Sequence, residues 1–67
     1  MRDPYTDPKP GDLFEGLYGM QTAVIEVTEG RVIYTMSSDA RSYQTIEEWP
    51  QAIRHARLIR RAEDVKP

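Results

Sequence analysis

Four arginines near the C-terminus are the densest group of like charges in this 67-residue sequence. If the segment is one continuous helix, Arg54, Arg57 and Arg61 share a stripe that could contact phosphates. If a helix is followed by a strand, these side chains and Arg60 scatter more, although they stay close in space. The first arrangement would favour nucleic-acid binding.

The distribution of charge bears on this choice. Residues 1–50 carry a net charge of −5 and residues 51–67 carry +3, which leaves the chain at −2. Nucleic-acid-binding domains usually have a basic excess overall, whereas this chain is slightly acidic. We therefore prefer a solubilising arginine cluster that offsets the acidic body and pairs with Glu47 or Glu48.

Catalytic groups are few. His55 is the only histidine and the chain has no cysteine, so a zinc-type metal site lacks convergent ligands. Its place near the end of a predicted helix favours a surface residue. Glu26, Glu47 and Glu48 could pair as acid and base only in a cleft that shifts a pKa, for which a chain this small has little room.

No phosphate-binding glycine loop or nucleophile motif is present. We expect no enzymatic activity, no metal and no cofactor. The alternative is an enzyme in which a homo-oligomer builds a cavity that one chain lacks.

Tyr18 is the best candidate for an exposed aromatic side chain, because it lies in a glycine-flanked loop after the first predicted strand. Exposed aromatic residues of small barrels bind extended peptides. The alternative is a loop residue that packs over the mouth of the barrel, and the sequence favours neither.

Short elements must position these side chains. Residues 1–10 contain three prolines and predict an extended arm, on which Tyr5 either docks or is exposed. Leu13–Glu15 predicts a first strand with Phe14 facing inward.

The stretch VIEVTEGRVIY predicts a β-hairpin with its turn at Glu29-Gly30. Because side chains alternate along a strand, this turn predicts which pairs share a face. The inward pairs are Val27 with Val32, Ile25 with Tyr34, and Ala23 with Met36. The solvent-facing pairs are Thr28 with Arg31, Glu26 with Ile33, and Val24 with Thr35.

The C-terminal half predicts a polar loop over residues 37–40 and a fourth strand over 41–46, with Tyr43 or Ile46 reaching the core. A short helix is expected over residues 50–57, because proline suits the first helical position. This start is preferred to the capping box Thr45-x-x-Glu48, which would place Pro50 inside the helix.

In that helix, Ala52, Ile53 and Ala56 would share the inward face with Trp49. Residues 57–61 either continue the helix or form a fifth strand. We favour the strand, which would cover an edge of the sheet.

Four or five antiparallel strands with one short C-terminal helix predict a mainly β fold, a small and partly open SH3-like barrel. The predicted organisation is an extended proline-rich arm over 1–10, the barrel over 11–61 and a polar tail over 62–67. The chain has no signal peptide and no apolar run of membrane-spanning length, so a cytoplasmic protein is expected.

The sequence also resembles a family of small prophage-encoded proteins of unknown function, and its first half is similar to the KOW element of ribosomal and transcription-factor SH3-like domains. The positions that carry the prophage resemblance are Gly11, Asp12, Phe14, Gly19, Val24, Val27, Arg31, Val32, Tyr34 and Trp49. The resemblance implies a phage or prophage origin and a barrel fold, and it supplies no catalytic residue.

From these observations we expect a non-enzymatic module that binds a host or phage protein. The alternative is a nucleic-acid-binding accessory factor that uses the C-terminal arginines. A homodimer is possible in either case, because an exposed strand edge and a small core both gain from pairing.

Overall fold

A computed structural model describes residues 2–36 and 40–64 of the chain. Its five strands form a single antiparallel sheet in the order β4-β3-β2-β1-β5. The strands are β1 (Leu13–Glu15), β2 (Gln21–Thr28), β3 (Arg31–Thr35), β4 (Arg41–Thr45) and β5 (Arg57–Arg60). A one-turn helix, α1 (Trp49–Ala52), precedes β5, and 3-10 turns cover Leu17–Gly19 and Ala62–Asp64. The prediction of a mainly β, partly open SH3-like barrel is confirmed.

The hairpin between β2 and β3 turns where the sequence predicts. Glu29 and Gly30 both have positive φ, 52° and 75°, as a two-residue turn that follows the twist of the strands requires. The pairing of Val27 with Val32 and of Glu26 with Ile33 is also as predicted.

On the N-terminal side of Glu26 the predicted register of β2 against β3 is wrong. The pairing shifts between Val24 and Glu26, which leaves Ile25 as the extra residue of a β-bulge. Val24 therefore faces Tyr34, and Ala23 faces Thr35. Because one extra residue inverts the alternation of side chains, Val24 is buried in the core and Ile25, which we expected to face inward, is only half-buried.

Aromatic rings occupy the centre of the barrel. Phe14, inward as predicted, and Trp49 are fully buried, and their ring centroids lie 5.8 Å apart in an edge-to-face arrangement. Tyr34 lies 5.4 Å from Trp49, and Tyr5 lies 5.3 Å from Phe14. Val24, Val32 and Ile53 are also buried in this core.

Helix α1 is shorter than the predicted helix over 50–57. It ends at Ala52, and its single turn buries Trp49 and Ile53, which lie four residues apart on one face. Ala52 is exposed, contrary to the prediction. Thr45 and Glu48 do form the capping-box contact, with the Glu48 N–H 3.2 Å from Thr45 Oγ1, but in the turn that precedes the helix.

Of the two candidates in the fourth strand, Ile46 packs against the core and Tyr43 is exposed. The predicted fifth strand is confirmed, because β5 pairs with β1. The polar loop predicted over 37–40 lies largely outside the described residues.

The N-terminal segment folds onto the barrel. Pro4 and Pro8 are buried, and the indole N–H of Trp49 donates to the Pro4 carbonyl at 3.1 Å. Tyr5 docks, and its hydroxyl donates to the Ala56 carbonyl at 2.7 Å. Instead of being extended throughout, the segment contains a turn, in which the N–H groups of Thr6 and Asp7 donate to the Asp3 carbonyl at 3.0 and 2.7 Å. The docked segment satisfies the buried indole and covers one side of the aromatic core.

Part of the expected polar tail is also ordered against the barrel, since the N–H of Ala62 donates to the Asp12 carboxylate. Residues 65–67 lie outside the described part of the chain. Within that part, no helix has the length and apolar character required to cross a membrane.

Candidate functional site

Large exposed apolar side chains gather in the segment between β1 and β2. Tyr18 is 99% exposed, Leu17 68% and Met20 41%. Tyr18 is therefore an exposed aromatic side chain and is not packed over the mouth of the barrel. Single exposed apolar residues are ordinary on a protein surface, whereas several adjacent ones on a small domain indicate a binding surface.

These side chains border an apolar cavity of about 380 Å³, which we call the Tyr18 groove. One wall is the loop between β1 and β2, and the other is the turn that follows α1. The principal apolar residues around it are Leu17, Tyr18, Met20, Met36, Ile53 and Ala56. His55, which is exposed as predicted, lies on the same rim.

The backbone holds the Tyr18 ring away from the barrel. The N–H of Gly16 donates to the Met20 carbonyl at 2.7 Å and closes the loop. Inside the loop Tyr18 has φ 61° and ψ 22°, the left-handed region that a bulky residue rarely adopts. Such a conformation costs about 1–3 kcal/mol and is found mainly at functional positions.

The C-terminal arginines have separate surroundings. Arg57 forms an ion pair with Glu15, with Nη2 3.0 Å from Oε1, at an exposed position where such pairs contribute little stability. Arg54 donates from Nε to Nε2 of His55 at 3.1 Å. Within the described residues no arginine forms an ion pair with Glu47 or Glu48, so the expected partners are wrong. The partner of Arg57 is instead Glu15, which precedes Glu47 and Glu48 by more than thirty positions in the sequence.

Arg61 is half-buried, and its Nη1 donates to the Arg2 carbonyl at 2.9 Å. Arg60 is exposed on β5. Because residues 57–60 form a strand, the continuous helical stripe of Arg54, Arg57 and Arg61 does not exist.

Among the residues that the structure describes, the most deeply buried charge is that of Asp12, to which the sequence assigned no role beyond the resemblance. Arg2 binds it through both oxygens, with Nη1 to Oδ2 at 2.7 Å and Nη2 to Oδ1 at 2.8 Å. The backbone N–H groups of Lys9 and Ala62 donate to the same carboxylate at 2.9 and 2.8 Å. Four donors thus saturate a carboxylate that is 0% exposed.

Arg2 also binds Glu63 through Nε and Nη2, so one guanidinium joins the start of β1 to the C-terminal 3-10 turn. We call this set the Arg2–Asp12–Glu63 clamp. Burial by itself would raise the pKa of Asp12, but the hydrogen bonds from Arg2 and from the two backbone N–H groups outweigh it and lower that pKa. The hydrogen bond from Arg2 lowers the pKa of Glu63 to about 2.

The Arg2–Asp12–Glu63 clamp has the chemistry of an interaction that stabilises the fold. Each oxygen of Asp12 already accepts two hydrogen bonds, and its lowered pKa makes it a poor proton acceptor near neutral pH. Among residues 2–36 and 40–64, no group of three or more histidine or acidic side chains is placed to hold a metal ion.

No protein-family model, curated protein or solved structure matches the chain. The resemblance to prophage-encoded proteins and the similarity to KOW elements stay predictions. The Tyr18 groove is therefore the candidate site on geometric grounds.

Proposed function

We propose that the chain is a small, non-enzymatic interaction protein of phage or prophage type that acts in the cytoplasm and binds a host or phage protein through the Tyr18 groove. The observation that supports this most is the exposure of Leu17, Tyr18 and Met20 at the border of one apolar cavity of about 380 Å³. That volume falls within the range of ordinary binding pockets, about 300–1,000 Å³.

The partner segment that suits this surface is extended and carries a large apolar side chain. That side chain would enter the groove over Ile53 and Ala56, while the Tyr18 ring would pack along the segment. Tyrosine is among the residues that dominate interface energetics, and methionines such as Met20 and Met36 adapt their shape to a ligand.

Charge supports an acidic partner segment. His55 lies on the rim of the groove. Arg54 and Arg57 stand within two positions of it in the sequence, and residues 51–67 as a whole carry a net charge of +3. Complementary charge at the edge of an interface mainly increases the rate of association and excludes wrong partners.

The alternative, a nucleic-acid-binding factor that uses Arg54, Arg57, Arg60 and Arg61, has less support. Arg57 is paired with Glu15 and Arg61 is bonded to the Arg2 carbonyl, so only part of the cluster has an unengaged charge.

Site-specific photocrosslinking tests the proposal. A photoreactive phenylalanine derivative replaces Tyr18 in one variant and Tyr43, an exposed tyrosine on β4, in a control variant. Both are expressed in bacterial cells and irradiated. We expect a discrete protein adduct from position 18 that position 43 does not give.

A second substitution shows whether the adduct depends on the groove. Leu17→Ser in the position-18 variant is expected to reduce the adduct strongly, because it removes an apolar side chain that is exposed in the unbound protein. Identical adducts from positions 18 and 43, no protein adduct from position 18, or an adduct insensitive to Leu17→Ser would contradict the proposal.

A further inference from the structure

The outer face of β3 and β4 carries a second concave surface, separate from the Tyr18 groove. A cavity of about 180 Å³ is lined there by Arg31, Ile33, Arg41, Ser42 and Tyr43, and we call it the Tyr43 pocket. It is smaller than ordinary small-molecule pockets, so it suits one ring of a longer ligand.

Strand pairing brings these residues together. Ile33 pairs with Tyr43, and Arg31 and Arg41 lie two residues from them on the same face, because side chains alternate along each strand. The guanidinium carbon of Arg31 lies 5.4 Å from the centroid of the Tyr43 ring, a cation–π distance. The pocket thus has an exposed aromatic ring with a guanidinium already over it.

The two arginines keep their charge available. Among residues 2–36 and 40–64, Arg2 and Arg57 form ion pairs with carboxylates, whereas Arg31 and Arg41 form none. This holds in a chain whose acidic side chains outnumber its basic ones, eleven to nine. An anionic ligand at the pocket would therefore meet two cations without displacing an existing ion pair.

The edge of the sheet is also open beside Tyr43. The N–H of Ile46 donates to the Gly30 carbonyl, so the backbone groups of Ile46 point toward β3. In an antiparallel pair only alternate residues bond to the neighbouring strand, so residues 44 and 42 also point toward β3 and the backbone groups of Tyr43 point away from it. The corresponding groups of Thr45 are taken by Glu48, whose N–H donates to the Thr45 carbonyl at 3.1 Å. A ligand can approach Tyr43 from the side that Glu48 leaves uncovered.

We propose that the Tyr43 pocket binds one nucleotide unit of single-stranded nucleic acid. The base stacks on Tyr43 against the apolar surface of Ile33, and the flanking phosphates contact Arg31 and Arg41. Aromatic rings beside unpaired cations are the means by which proteins bind single strands without reading their sequence, since every base has a π face. A segment of acidic residues alone would meet the arginines but would place no ring on Tyr43.

Fluorescence anisotropy with labelled twelve-nucleotide oligothymidine and oligouridine tests this at low salt, since the net charge of −2 provides no long-range attraction. Tyr43→Ala is expected to weaken binding by about 5- to 150-fold, the usual effect of removing a stacking ring. Tyr43→Phe keeps the ring and is expected to bind within about threefold of the parent protein.

The salt dependence gives a second readout. Each phosphate contact contributes about −0.7 to the slope of log K against log salt for single strands, so Arg41→Gln is expected to lower the slope by about that amount. Arg60→Gln, an exposed arginine on β5, is the matched control and is expected to leave affinity and slope nearly unchanged.

The proposal is overturned if the parent protein does not bind at low salt, if Tyr43→Ala binds as well as the parent, or if Arg60→Gln is as damaging as Arg41→Gln. Equal competition by polyglutamate and by unlabelled oligonucleotide would show a general anion site and would also overturn it. Urea unfolding of each variant confirms that weakened binding is not caused by unfolding.

Discussion

Replacement of Arg2 by methionine is expected to destabilise the protein by about 3 kcal/mol. Arg2 supplies two of the four hydrogen bonds to a carboxylate that is 0% exposed. Removal of one partner of a buried ion pair costs about 3–5 kcal/mol, and the lower value suits a side chain close to the surface of so small a domain. Methionine keeps most of the apolar length of arginine and removes the charge.

The effect is large compared with total stability, which for a chain of 67 residues is about 3–10 kcal/mol. Urea unfolding followed by the fluorescence of the buried Trp49 measures it. With a denaturant slope of about 1 kcal/mol per molar, the midpoint falls by about 3 M, or the variant is unfolded without urea.

Two further variants make the test specific. Lys9→Met changes an exposed side chain that donates no hydrogen bond to the clamp and acts on Glu63 only through its charge, so it is expected to cost less than about 0.5 kcal/mol. Adding Asp12→Asn to Arg2→Met is expected to recover part of the loss, because an amide is less costly to bury than an unpaired carboxylate. An Arg2→Met midpoint within about 0.5 M of the parent would refute the reasoning.

Three other predictions follow from the fold. The pKa values of Asp12 and Glu63 are lowered in the folded state, that of Glu63 from 4.5 to about 2, so the unfolded chain takes up protons first. Urea midpoints are therefore expected to fall as pH decreases from 4.5 to about 2, and a midpoint that stays constant over that interval would contradict the clamp. Val24→Ala is expected to cost about 2 kcal/mol and Ile25→Ala less than about 1 kcal/mol, because the bulge buries Val24. If thermal or urea unfolding shows that Ile25→Ala is the more destabilising variant, the regular register without a bulge would be supported instead. Tyr18→Asn is expected to raise stability by about 0.5–1 kcal/mol, because asparagine tolerates the left-handed region and the exposed ring makes little packing contact; destabilisation would show that the ring is packed.

The hairpin could be predicted from the sequence because turn chemistry and apolar alternation agree around Gly30. The bulge could not, because Val24 and Ile25 are both apolar and either could face inward. The structure resolves this through the neighbouring strands, since β1 also pairs with β2 and requires Val24 rather than Ile25 beside Phe14.

The clamp could not be predicted because its members are distant in sequence. Arg2 lies 10 residues from Asp12 and 61 from Glu63, and each looks like an ordinary solvated charge in its local context. The same holds for Arg57, whose partner Glu15 becomes its neighbour only when β5 pairs with β1.

The candidate site was predicted in part. Glycines on both sides of Tyr18 indicated a loop, and exposure was one of two alternatives. The far wall of the groove depends on where α1 ends, because its early termination after one turn places Ile53 and Ala56 at the groove. A helix continued to residue 57, as the proline position suggested, would have arranged these side chains differently.

The most direct test of the Tyr18 groove is an NMR titration of the isotopically labelled protein with the partner segment identified by crosslinking. Amide shifts are expected to concentrate at residues 16–20 and 52–56, with Arg31 and Tyr43 nearly unchanged. Shifts centred on β3 and β4, or spread evenly over the chain, would contradict the assignment of the groove as the protein-binding surface.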